Sequence, residues 1–393
     1  MKKVLLLEAN SIQSQPIAKS LKKKGYYTIG FCEEELSYGY YSRYLDEKHL
    51  TVSSHHEPEK YYVYIIDYLK SNNIDVIIPM SDDSAVFLAM HQEELSKYAS
   101  FSIPSYNVFM RGYDKNQLMK VCSELTVSHP LTIDLSGDYN LDEMKYPAII
   151  KPNLTTGGRG MCVVENRQVL EDSIIPTVVQ YGAAHVQEFV PAGGRQIKVQ
   201  LLVDSQQMLL CSSVMCKVRM YPVKGGSSCC NYTLKDKTLV EECYRILKYI
   251  GWRGFADFDI IEDPRDCSMK IMEINPRVPA CIKGAIVAGV DWGEAIVNEV
   301  LNTPLSHYEY KENVVLRYLG FDFLWFLKSS NRFNTEPSWF SFFGGHVSYE
   351  DLDWSDIKAF VMGTYGNIKK LVNPQFRSAK AGMSSNKRHT GGD

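Results

Sequence analysis

Two short apolar segments with acids set inside them restrict this chain most: Gly254-Phe255-Ala256-Asp257-Phe258-Asp259 and Lys270-Ile271-Met272-Glu273-Ile274-Asn275-Pro276-Arg277. Side chains alternate faces along a strand, so Asp257 shares a face with Asp259, and Glu273 with Asn275. If the two strands pair, one face collects three or four oxygen donors with no sulfur or imidazole among them. That donor set suits Mg²⁺, which keeps carboxylates, water and nucleotide phosphates around it. A solvated strand face is the plainer explanation for alternating acids. Against it, Asp257 and Glu273 stand within otherwise apolar strands, and Pro276-Arg277 follows directly.

Two further segments carry chemistry. Residues 147–161 read as a strand ending at Lys151, a polar loop holding Gly157, Gly158 and Gly160, and a second strand. Glycines in such a hairpin let backbone N–H groups fold over anionic oxygens, and Lys151 supplies a point charge. It is not a Walker loop, because the lysine precedes the glycines and no Gly-Lys-Ser/Thr is present. Alone, it is as readily a plain glycine hairpin. Val186-Gln187-Glu188-Phe189-Val190-Pro191 leaves a strand through proline and then two glycines. Such a segment can offer backbone groups to a purine edge, although alone it is an unremarkable strand end.

In this order and spacing the three elements resemble the ATP-grasp superfamily, over about residues 1 to 305, with Glu273 to Arg277 as the strongest token. The style is that of carbamoyl phosphate synthetase-like and D-aspartate ligase-like carboxylate-amine ligases. The resemblance implies ATP and Mg²⁺ (or Mn²⁺) as cofactors. It places Lys115 and Lys151 on the α- or β-phosphates, and Gly157, Gly158 and Gly160 in a lid, with 155–160 as the moving loop. Glu188, Phe189 and Val190 become the adenine hinge. Asp257, Glu273 and Asn275 become the metal ligands, and Arg277 lies against the transferred phosphoryl group. Arg219 stands where the family often has an arginine near the reacting carboxylate. Where many relatives bind the ribose with a carboxylate, this chain has Arg195 and Gln196, so Gln196 is left to make that contact through its amide.

The chain around these elements divides by pattern. Val4 to Leu7, a helical stretch from Ile12 to Lys23, and the strand-like Tyr26 to Phe31 form a βαβ opening, and a second unit follows through Glu59 to Ser71 and Asp75 to Pro79, then a helix through Ala85 to Leu95. The turn Glu8-Ala9-Asn10-Ser11 has no glycine to admit a pyrophosphate, which argues against a dinucleotide fingerprint. From about Pro104 strands succeed one another with few crossover helices, giving an α+β body with antiparallel sheets. Helices are expected at Asp114 to Glu124 and Thr238 to Ile250. The expected architecture is α/β and α+β multidomain. An N-terminal α/β domain spans 1–105 and a two-lobed ATP-grasp domain 106–309, with its lid about 125–190 and its catalytic lobe about 191–309. An aromatic-rich segment at 310–375 would fill a small core or an interface, and 376–393 would be a disordered tail.

With 393 residues, 43 basic and 46 acidic side chains and a net charge of −3, the chain has no electrostatic footprint for nucleic acid. The ten cysteines form no CxxC pair, and the apolar start ends at Glu8, too early for a signal peptide. No stretch is long and apolar enough for a membrane span. A cytoplasmic enzyme is expected, with small-molecule carboxylate and amine substrates and a homodimer as one possible assembly. The resemblance implies ATP-dependent activation of a carboxylate as an acyl phosphate for attack by an amine. The alternatives are carbamoyl phosphate synthetase-like phosphoryl transfer and a non-catalytic nucleotide-binding module. Ser81-Asp82-Asp83 reads as either a substrate contact or a helix N-cap. Arg317 and Asp322 are weaker candidates, while His129 and His185 read as structural or exposed.

Overall fold

The computed structural model describes residues 1–154, 158, 160–223 and 226–372. Gly157 and the expected tail at 376–393 lie outside these residues. The first sheet joins β1 (Lys3–Leu7), β2 (Tyr27–Cys32), β3 (Glu47–Leu50) and β4 (Val76–Pro79), all parallel, in the order β3-β2-β1-β4. Crossover helices cover both faces, which is why these strands are apolar almost throughout. Leu5, Leu7 and Ile77 pack on helix Pro58–Ser71 through Tyr61, Ile65 and Leu69. Val4, Leu6, Val76 and Ile78 pack on helix Ser14–Lys23 through Ile17, Ala18 and Leu21.

The second sheet is antiparallel and contains β5 (Thr132–Asp134), β6 (Ala148–Pro152), β7 (Cys162–Val164) and β8 (Ala184–Glu188), in the order β5-β8-β6-β7. Its core is its own, built from Ile150, Val164, Leu170, Ile174 and Val186. Helix Arg167–Tyr181, which supplies Leu170 and Ile174, is not apparent in the sequence pattern. Pro176 stands inside it, and Ile175 and Val179 face outward, so its apolar residues do not form one stripe. Helix Tyr106–Tyr113 also goes beyond the sequence reading, and the stretch expected as one helix to Leu95 is two, Asp82–Met90 and Gln92–Leu95.

The third sheet is β9 (Gln196–Val203), β10 (Leu209–Tyr221), β11 (Ser227–Leu234), β12 (Gly254–Glu262), β13 (Met269–Asn275), β14 (Val315–Arg317) and β15 (Val347–Tyr349), in the order β13-β12-β9-β10-β11-β14-β15. All pairings are antiparallel except β14 with β15. Its apolar face, with Val199, Leu201, Phe258 and Ile274, packs on helix Lys237–Ile250. The same core takes in Leu5, Leu7 and Ile77 of the first sheet, so the first and third sheets are held by one continuous apolar interior.

The aromatic segment adds β14 and β15 to this sheet and builds a small core from Tyr318 and Trp325 with Cys229, flanked by Phe321, Phe326 and Trp339. Asp322, 1% exposed, holds it in place. It accepts from Arg219 Nε at 2.7 Å and Nη2 at 3.1 Å, and from Arg317 Nε at 2.7 Å. Arg317 also lies over Phe342, and Arg219 over Trp325. The Asp322→Ala variant leaves two buried guanidinium groups without their carboxylate and should lose about 3–5 kcal/mol. Urea unfolding of the full chain checks this; a loss under about 1 kcal/mol would show that the carbonyls of Pro337 and Ser341, which also accept from these arginines, suffice.

Candidate active site

The two acid-bearing strands do pair. Asp257 stands opposite Asn275 and Asp259 opposite Glu273 on β12 and β13, so all four share one face. On the other side of β12, β9 places Gln200 opposite Asp257 and Lys198 opposite Asp259. A lysine thus enters the acid face. Lys198 Nζ is 2.6 Å from Asp257 Oδ2 and 2.9 Å from Asp259 Oδ2, and Lys217 pairs with the second oxygen of Asp259. Gln200 Nε2 donates to Asp257 Oδ1 at 2.8 Å and is itself held by Ser213 Oγ. Burial pushes the Asp259 carboxyl up, and Lys198 and Lys217 more than reverse this, holding it below the usual carboxylate range.

Lys198 and Lys217 were not singled out from the sequence. The signal was present: Gln196, Lys198 and Gln200 alternate with Ile197, Val199 and Leu201, the same polar-within-apolar pattern that marks Asp257.

Three of the expected residues converge at the edge of this face. Lys115 opens helix Lys115–Glu124, capped by Asp114, and its Nζ lies 3.5 Å from Glu273 Oε2. Lys151, the penultimate residue of β6, is 8% exposed and donates to Gln187 on β8. Burial lowers its pKa to about 8; Glu273 opposes the shift and Lys115 adds to it. Opposite Lys151 in the ladder stands His185, wholly buried, with Nδ1 2.8 Å from Asn153 Oδ1 and Nε2 without a hydrogen-bond partner among the described residues. Burial and the two lysines depress its pKa to about 3, so it is neutral.

Among the described residues no three His, Cys, Asp or Glu side chains gather as a ready-made metal cage. Both oxygens of Asp257 already accept from Lys198 and Gln200. Glu273 and Asn275 are neighbours on the same face, and Asn275 Nδ2 donates to Asp259 Oδ2 at 3.1 Å. One or two carboxylates, an amide and the phosphate oxygens of a ligand form a donor set that fits Mg²⁺.

The remaining candidates are placed as follows. Gly158 and Gly160 have φ of 75° and 74°, the left-handed region that favours glycine, and a Cβ on Gly160 would come within 2.7 Å of the Tyr181 ring. Glu188 closes β8, and its carboxylate is tied to Lys270 at 3.1 Å and to Arg265. Of the residues expected as the adenine hinge, Phe189 and Val190 lie beyond the strand end. Gln196 opens β9 on the same face as Lys198, and Arg195 beside it pairs with Glu262 at 2.8 Å. Arg277 follows β13, with Nε 3.4 Å from Asp82 Oδ1. Ser81 is the N-cap of helix Asp82–Met90, accepting from Ser84 N, so the capping alternative holds for Ser81, while Asp82 and Asp83 form the first turn.

Arg219 departs from expectation. It is 1% exposed, and its guanidinium is taken up by Asp322 and the Pro337 carbonyl. A β-bulge between Lys217 and Arg219 breaks the alternation and re-aims the side chain. The sheet face receives Lys217 instead. The Lys198→Met variant leaves Asp257 without its lysine and should lose about 3–5 kcal/mol in urea unfolding at neutral pH. An unchanged midpoint would mean that the acid face does not depend on this charge.

Residues 116–290 match the family model described as the carbamoyl-phosphate synthase L chain, ATP binding domain. The D-aspartate ligase of Enterococcus faecium is 24% identical over 264 residues, a match covering 61% of this chain and 62% of that protein's length. Two solved structures share the fold. The biotin carboxylase domain dimer of Hydrogenobacter thermophilus 2-oxoglutarate carboxylase, in complex with MgADP, ADP and bicarbonate, superposes with a TM-score of 0.64 at 17% identity, covering 80% of this chain and 73% of that one. The L-amino acid ligase of Bacillus licheniformis gives 0.62 at 13% identity, covering 80% and 78%. The matched ATP-binding domain thus runs across the second sheet and most of the third, and the chain shares its fold with these two enzymes.

Proposed function

We propose that the chain is an ATP-dependent carboxylate-amine ligase. The observation that carries this reading is the convergence of Lys115, Lys151 and Glu273, with Arg277 two residues beyond Asn275 on the same strand exit. Two lysines and a metal-holding carboxylate at one point suit a triphosphate, and an arginine beside them suits the group receiving phosphate.

Lys115 and Lys151 hold phosphate oxygens, while the backbone of Phe189 and Val190 and the Gln196 amide meet adenine and ribose. Glu273 and Asn275, with Asp257 behind them, would hold Mg²⁺, or Mn²⁺ in its place. When bound, the ion supplies charge neutralisation on the phosphates. The carboxylate oxygen of one substrate attacks the γ-phosphorus and ADP leaves. Arg277 offsets negative charge on the transferring group. The amine then attacks the acyl carbon, phosphate leaves, and one proton is released with the new amide. Glycines 158 and 160 belong to the loop that must keep water from the acyl phosphate. The D-aspartate and L-amino acid ligases among the related proteins support an amino compound as substrate, and a homodimer is proposed on the dimeric carboxylase domain alone. Ten unbridged cysteines suit a reducing cytoplasm.

Incubation with ATP, candidate amino acids and hydroxylamine should trap an acyl hydroxamate as phosphate is released. The Glu273→Ala variant should lower that release by about 100-fold or more. Intact turnover in that variant would end its assignment to the metal, and ATP binding without any phosphate release would favour a binding module. A second expectation follows from Lys151. Its pKa is about 8 in the free protein and is raised by bound phosphate, so nucleotide affinity is greatest below pH 8 and falls as pH rises through it, by about tenfold per unit. Titrations at pH 7, 8 and 9 check this, and Lys151→Met should bind more weakly with a flattened pH dependence.

A further inference from the structure

A cavity of about 280 Å³ lies between the first sheet and Arg277, lined by Glu8, Asn10, Ser81, Asp82 and Asp83 among others. We propose that it seats the ammonium group of an amino-acid substrate, held by Glu8 and Asp82, with Arg277 at the anionic end of the same molecule. The inference deepens the ligase reading and rests on it for the role of the bound molecule.

Topology puts the cavity where ligands collect. The chain runs β1, β2, β3 outward in one direction and then returns to the other side of β1 with β4. The strand order therefore reverses between β1 and β4, and the crevice at their carboxyl ends is the favoured ligand position of an open parallel sheet. Glu8 follows β1 directly, and Ser81 to Asp83 follow β4 after one residue.

Glu8 is unusual in two respects. Its φ is 57°, a left-handed conformation that costs a residue with a Cβ about 1 kcal/mol, and it is only 6% exposed. Its carboxyl accepts from Ser54 and Ser81. Burial pushes its pKa up to about 8; Ser54 opposes the shift, while Glu33, Asp83 and Asp82 add to it. Asp82 Oδ1 is buried with no hydrogen-bond donor among the described residues, since Arg277 Nε at 3.4 Å is an ion-pair contact without hydrogen-bond geometry.

Glu8 and Asp82 thus line the cavity with one guanidinium, that of Arg277, while Asp83 is half exposed beside His55. The missing partner is a small cation with several N–H donors. An ammonium group fits, with three donors to share among Glu8 and Asp82 and a charge that offsets the excess acid. The cavity also borders the reaction centre through Arg277, whose pKa burial alone would lower and which Asp82, Asp257, Asp259 and Glu273 together raise.

The test is calorimetric binding to the full-length chain with ATP and Mg²⁺, using the common amino acids, their D forms and the N-acetyl counterpart of each. At least one free amino acid should bind, and its N-acetyl form should bind about tenfold or more weakly. Glu8→Gln and Asp82→Asn should each weaken the free amino acid about tenfold, with nucleotide affinity and melting temperature held near those of the parent. Glu8→Gln preserves shape; should it fail to fold, Asp82→Asn, in the partly exposed first helical turn, carries the test. Equal binding of free and N-acetyl forms, unchanged affinity in folded variants, or no binding by any free amino acid would overturn the inference. Amine-specific binding that the variants lose, without any phosphate release, would uphold it while ending the ligase reading.

Discussion

Lys198 is the charge on which the acid face of the third sheet depends. Without it, Asp257 would be a carboxylate at zero exposure in a sheet otherwise packed on apolar helices, and an isolated buried carboxylate costs several kcal/mol. The ammonium group between Asp257 and Asp259, together with Lys217, lets two acids enter the fold beside Glu273 and Asn275. Stability and chemistry are therefore coupled at the same atoms. The lysines counter the upward pull of burial on both acids, reversing it at Asp259 but not at Asp257, and Glu273 lies a third exposed at the edge of the face.

The cores determine what can move. The first and third sheets share one apolar interior through Leu5, Leu7, Val199 and Phe258, which fixes Glu8 and Asp82 relative to Arg277. The second sheet has a separate and smaller core, and the chain passes from it to the third sheet through residues 189–195. Turning the second sheet would expose less apolar surface than separating the other two, so Lys151 and His185, which stand on it, are less firmly tied to the third sheet than Glu8 and Asp82 are.

Local periodicity made part of this legible. The shared face of Asp257, Asp259, Glu273 and Asn275 follows from alternation alone, and the ladder register bears it out. Lys198 obeys the same rule, yet its importance appears only when β9 is known to lie beside β12, a pairing across about sixty residues of sequence. Arg219 was misread because a bulge is invisible to a period-two count, and its partner Asp322 is 103 residues away. Helix Arg167–Tyr181 was hidden by Pro176 and its outward apolar residues, since tertiary packing there uses only one narrow edge of the helix. Glu8 was read only as the absence of a glycine after the first strand; that it holds a positive φ without being glycine is a fact of the backbone.

The net charge of −3 also takes on a sharper meaning. Around the site, charges are compensated locally where they are structural, as with Lys198 between its two acids and Asp322 between its two arginines. Two ion pairs nearer the edge of the acid face are longer. Lys115 stands 3.5 Å from Glu273 and Arg277 3.4 Å from Asp82, distances beyond a good hydrogen bond. On the proposed reading, a phosphate would take the lysine and a metal the glutamate, while an acyl phosphate would take the arginine and an ammonium the aspartate. Each of these two pairs would then be exchanged for two charge-assisted contacts of opposite sign, and a site that works in this way needs no net charge of its own.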